Sequence, residues 1–134
     1  MRNFLFLFLL MSNLFILSAC ADPETQTQTL EKFYKDEHIE IVDKVIIQDG
    51  STGNSEVITE QEQINEFLSQ IKNIEFTPED NQEKRDGWRY GITLFDGKKE
   101  FKFTLSKIGD TYYNSTPDIF PIVDNYYKQL NKGN

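Results

Sequence analysis

Apolar and polar residues change rhythm several times along this chain, and each rhythm predicts an element. From Phe4 to Leu17 the residues are almost uniformly apolar, broken by Ser12 and Asn13, behind the basic Arg2. A basic start followed by a greasy run of this length is the pattern of a secretory signal. The run is shorter than the roughly 20 apolar residues that span a bilayer, so residues 1–19 read as a cleaved signal peptide. Ala21–Thr29, ADPETQTQT, holds no large apolar side chain and reads with Cys20 as a flexible polar tether over residues 20–29.

Beyond the tether the pattern becomes that of a folded domain over residues 30–134. Ile39, Ile41, Val45 and Ile47 predict a strand with one apolar face, because strand side chains alternate with period 2. A turn-rich stretch, Asp49–Ser55, separates it from a short strand at Glu56–Ile58. Thr59 and Glu62 have capping-box spacing, and Ile64, Phe67, Leu68 and Ile71 follow at helical spacing. Asp96-Gly97 suits a type I′ turn; a two-residue loop there pairs Trp88 with Leu105, Tyr90 with Phe103 and Ile92 with Phe101, and puts Trp88 and Tyr90 in the core. Lys107–Asp110 predicts a turn into a strand at Thr111–Asn114. A closing helix has Pro117 or Pro121 in its first turn and an apolar stripe of Ile122, Val123, Tyr126, Tyr127 and Leu130. Together these predict an α+β fold: a two-layer sandwich of an antiparallel sheet, about four to six strands, with two helices.

Charge narrows the partners. Removing residues 1–19 takes away one basic residue and no acidic one, leaving 13 basic against 22 acidic residues and a balance of −9. Nucleic-acid binding needs a basic footprint, so no nucleic-acid partner is expected, and anionic headgroups are disfavoured by the same repulsion.

Leu17-Ser18-Ala19-Cys20 resembles the lipobox of bacterial lipoproteins: a large aliphatic residue and two small ones before a cysteine. The resemblance covers about twenty residues. It implies that the signal is cut before Cys20 and that the thiol carries diacylglycerol, the lipid attachment site. A diacylglyceryl group supplies the two chains that stable anchoring takes. Cys20 is the single cysteine, so an internal disulfide is impossible. No other cofactor is expected. In layout and composition the chain resembles small lipoproteins of Gram-positive bacteria, which implies the extracytoplasmic face of the cell membrane.

Candidate chemistry in the domain is thin. The lone His38 stands in a charged run, and no serine has a nucleophile-elbow context, so no catalytic residue is expected. Glu79, Asp80, Glu83 and Asp86 fall in a polar loop, Pro78–Gly87, that reads as a solvated connection. Asp49, Ser51, Ser55 and Glu60 fall at positions 1, 3, 7 and 12 of a window faintly like a calcium loop. Gly53 and Asn54 break that pattern, so the expectation is no metal. Tyr112-Tyr113 are neighbours in a strand, whose side chains point to opposite faces; one should leave the core and offer a partner-binding ring. The function expected is a lipid-anchored, non-enzymatic binding domain for an envelope protein. The alternatives are an inhibitor or immunity-type protein against a secreted enzyme or toxin, and a carboxylate-dependent cell-wall glycan hydrolase.

Overall fold

The computed structural model describes residues 26–133. Its elements in chain order are β1 (Gln28–Thr29), α1 (Leu30–Asp36), β2 (Lys44–Asp49), β3 (Ser55–Ile58), α2 (Gln61–Ile71), β4 (Glu75–Pro78), β5 (Tyr90–Asp96), β6 (Lys99–Thr104), β7 (Lys107–Ile108), β8 (Thr111–Thr116) and α3 (Ile119–Lys132). The fold is α+β, as the sequence predicts, but the strands form two antiparallel sheets, ordered β1-β4-β8-β7 and β3-β2-β5-β6. The connection from β6 through β7 to β8 carries the chain from one sheet to the other.

A single core lies between these layers. Val45 and Ile47 of β2, Ile58 of β3 and Ile92 and Leu94 of β5 meet Ile64, Phe67 and Ile71 of α2 and Val123, Tyr126 and Tyr127 of α3. The Phe67 and Tyr126 rings stand 4.9 Å apart, and the Tyr126 hydroxyl donates to the Gln63 carbonyl at 3.2 Å, tying the two helices together. Where α1 packs on the first sheet, Phe33, Phe76 and Tyr113 form an edge-to-face trio, an arrangement ring quadrupoles favour.

Several local expectations are corrected. The tether ends earlier than predicted: Gln28 and Thr29 pair with Phe76 and Glu75, and the Thr29 hydroxyl caps α1 by accepting from the Lys32 N–H. That helix, absent from the sequence reading, buries Leu30 and Tyr34. The strand predicted from Ile39 begins only at Lys44. Ile41 is 69% exposed while Val42 is buried, because His38, at φ +64°, turns the chain out of an extended path. The Asp96 carboxylate then holds the segment by accepting from the Glu40 and Ile41 N–H groups at 2.9 and 3.2 Å.

Asp96 is therefore a latch rather than a central turn residue. The hairpin pairs Asp96 with Lys99, Leu94 with Phe101 and Ile92 with Phe103, a register two residues from the predicted one. Gly97 takes φ +60° and Lys98 does not enter that region, as in a type II′ turn. A shift of two preserves every residue's face, so Tyr90, Ile92, Phe101 and Phe103 are buried as predicted. Trp88 lies before β5, outside the hairpin, and is not core. At α2 the capping box does not form: Glu60 is the N-cap and makes no side-chain cap bond.

Candidate functional site

Residues 79–89 link the two sheets, and the way they are tied down shapes a surface cleft. After Pro78 the chain leaves β4, keeping one ladder bond from the Glu79 N–H to the Tyr112 carbonyl at 3.0 Å and leaving the Tyr112 N–H side of the ladder open. The Gln82 side-chain amide fills it, accepting from the Tyr112 N–H at 2.8 Å and donating to its carbonyl at 2.9 Å. The Tyr112 hydroxyl accepts from the Arg85 N–H at 2.9 Å, and the Arg85 guanidinium lies 4.4 Å from the ring centroid while bonding Glu79. Tyr112 and Tyr113 are consequently both buried. Tyr113 joins the core cluster and Tyr112 does not, as alternation predicts, but the loop covers the outward ring, so Tyr112 offers no exposed surface to a partner. Glu79 is held in that pairing, while Asp80, Glu83 and Asp86 remain exposed.

Where the linker approaches β5, the Gly50 N–H donates to the Arg89 carbonyl at 2.8 Å. Trp88 rests against two glycines. A Cβ at Gly50 would stand 1.9 Å from the Trp88 carbonyl oxygen and 2.7 Å from the indole Cε3. A Cβ at Gly91 would stand 3.4 Å from Cζ3 and 3.7 Å from both Cε3 and Cη2. Near-equal distances to three consecutive ring carbons mean a face-on approach; from the rim, the flanking carbons would be much farther than the nearest. One face of the indole thus lies on β5. The residue is 41% exposed, so the exposure belongs to its other face and rim.

That indole forms one wall of a cleft of about 460 Å³. Phe120, 37% exposed on the first turn of α3, also lines it, with Arg89, Leu105, Asn114 and Asp118. Arg89 places its guanidinium 5.7 Å from the Phe120 centroid and 5.8 Å from that of Tyr90. Asp118 is committed to the helix, its carboxylate accepting from the Phe120 N–H at 3.0 Å. The Asn114 side chain makes no hydrogen bond among the described residues. A second hollow, about 400 Å³, lies among Gln28, Phe33, Lys102 and Asp110.

Near the cleft, the Tyr90 hydroxyl donates to the buried Asp124 carboxylate at 2.6 Å, which also pairs with Lys128 at 2.8 Å. Lys128 and then Tyr90 hold the Asp124 carboxyl below its ordinary range, while burial, helped by Asp124, pushes the Tyr90 hydroxyl up to about 12. A carboxyl depressed in the folded state stabilises above its unfolded pKa, about 3.9, and that stability is lost as pH falls through the carboxylate range. Tyr90→Phe should therefore cost about 1.5–3 kcal/mol near neutrality, the range for a hydrogen bond to a charged group. It should also flatten the acid limb of a plot of Tm against pH, both read by circular dichroism. An unchanged profile would remove this network from the fold's stability.

The other sequence candidates do not converge on this cleft. Asp49 accepts from the Ser51 N–H and hydroxyl at 2.8 and 2.6 Å. Ser55 pairs with Gln48 in the ladder and Glu60 opens α2, so the supposed calcium window is a hairpin turn and a helix start. Among the described residues no group of three His, Cys, Asp or Glu side chains is placed to hold a metal, and no helix is long and apolar enough to cross a membrane. His38 is exposed. Cys20 and residues 1–19 lie outside the described residues. The reading missed Phe120, Arg89 and Asn114 as cleft residues. The legible signal was Phe120, which stands off the Ile119, Val123, Tyr126, Tyr127 stripe.

No family model, curated protein or solved structure matches this chain. The cleft and the amino-terminal motif therefore carry the functional reading.

Proposed function

We propose that this protein is a lipid-anchored, extracytoplasmic binding module that acts without catalysis, holding an envelope component in the cleft between Trp88 and Phe120. The single observation that carries the reading is the indole of Trp88, seated by one face on β5 and left 41% exposed at a concave site. Leaving such a surface in water forgoes burial of roughly 25 cal/mol per Å², and aromatic anchors beside a few placed polar groups are typical of binding sites. Glu79 is paired with Arg85 and Asp118 caps α3; both carboxylates have structural tasks, which favours binding over acid–base chemistry. Leu17-Ser18-Ala19-Cys20 supports the anchor. The tether to Gln28 confines the cleft near the membrane surface, since eight residues extend to about 28 Å at most.

A photo-crosslinking residue at Phe120, in the full-length protein in living cells, tests this directly. One dominant adduct, protein or glycan by mass spectrometry, is expected from Phe120 and not from Ile41, which is exposed but does not line the cleft. Adducts that are absent, or shared equally by the two positions, would sink the reading.

A further inference from the structure

The chemistry of the cleft identifies a class of ligand, resting on its reading as a binding site. We propose that it takes a neutral, pyranose-containing glycan stacked on the open face of Trp88.

The seating of the indole supports a flat, face-on ligand. With one face on Gly91, the ring leaves its other face and rim to a ligand. An aromatic face is electron-rich and matches the slightly positive C–H face of a sugar ring. Around that plane stand planar hydrogen-bonding groups that the fold leaves available. Asn114 has both an amide donor and an acceptor, and Arg89, which also interacts with the Tyr90 hydroxyl, lines the cleft with further N–H donors. Hydroxyls at a sugar's rim need such mixed donors and acceptors.

Charge argues for neutrality. Glu79 is engaged by Arg85 and Asp118 by the helix start. The Asp49 and Asp124 carboxylates lie close enough to Arg89 to offset part of its charge. The acidic balance of the chain repels polyanions. At about 460 Å³ the cleft lies within the range of small-ligand sites, about 300–1,000 Å³.

Trp88 is the one tryptophan in the chain, so its emission reports on the site alone. The full-length protein, in a detergent without a sugar headgroup, is titrated with three neutral probes: the β-1,4-linked tetramer of N-acetylglucosamine, cellotetraose and maltotetraose. Octaproline is titrated in parallel, since extended proline-rich peptides also dock on aromatic grooves. At least one glycan should give a saturable change in emission. Asn114→Ala and Arg89→Gln should each weaken it about tenfold, as loss of a buried polar contact does, with Tm unchanged in Asn114→Ala. No saturable change with any glycan, a change indifferent to both substitutions, or saturation by octaproline alone overturns the glycan assignment. The Phe120 crosslink separates the two levels: an adduct without glycan binding removes the ligand class and leaves the binding module. Absence of both removes both.

Discussion

Gly50→Ala should lower the unfolding midpoint by about 10 °C, corresponding to a loss of about 2–3 kcal/mol. The added methyl would stand 1.9 Å from the Trp88 carbonyl oxygen and 3.0 Å from its carbonyl carbon. These are backbone atoms, so no change of rotamer relieves the clash. Either the linker before β5 or the turn after β2 must move, and the Gly50 N–H bond to the Arg89 carbonyl moves with it. Gly91→Ala provides the contrast. Its methyl would meet the indole at 3.4 Å, ordinary van der Waals contact, and stability should stay within about 0.5 kcal/mol of wild type. Thermal unfolding followed by circular dichroism checks both, and the Trp88 emission maximum should shift in Gly50→Ala only. Truncating the indole in a Gly50→Ala, Trp88→Ala double variant should not restore stability, because the oxygen at 1.9 Å belongs to the main chain. Restoration would show that the side chain sets the close approach.

Cys20→Ser should release the protein from the membrane. If Cys20 carries diacylglycerol, as we propose, two acyl chains contribute about 0.8 kcal/mol for each buried methylene, and no element of the described residues replaces them. No described helix can span a bilayer, and a balance of −9 for residues 20–134 repels anionic headgroups. After cell fractionation the wild-type protein is expected in the membrane pellet and Cys20→Ser in the soluble or uncleaved fraction. The serine protein should retain the wild-type Tm, since the buried core is built from Leu30 to Tyr127. Pelleting of Cys20→Ser with membranes, in processed form, would overturn the anchor.

Much of the fold was legible because its signals are local. The stripe Ile64, Phe67, Ile71 and the stripe Val123, Tyr126, Tyr127 are periodic over several turns, and both helices stand where periodicity places them. The hairpin was legible in its faces although not in its register. Parity alone decides which side a residue takes, so an error of two left Tyr90 and Ile92 buried. The misses are also local in origin. α1 is seven residues long, too short for a moment to stand out, and β4 is four residues of mixed polarity. Trp88 was misassigned because the alternation extends back before the start of β5, where the chain has not yet entered the ladder. Asp96 was read as a turn residue because an Asp-Gly pair looks the same whether its carboxylate faces solvent or accepts N–H bonds from residues 40 and 41.

By itself, then, the sequence determined the α+β class, the two longer helices, the inward faces of the central strands and the acidic balance. These depend on period and composition, which neighbours along the chain carry. Tertiary structure alone decided that there are two sheets rather than one, that Tyr112 and Tyr113 are both covered, and that Trp88 lies flat against β5 beside Phe120. Each depends on contacts between residues far apart in the chain: Gln82 with Tyr112, Gly50 with Arg89 and Gly50 with Trp88. No window of sequence contains both partners, so the pattern along the chain holds no record of the space they share.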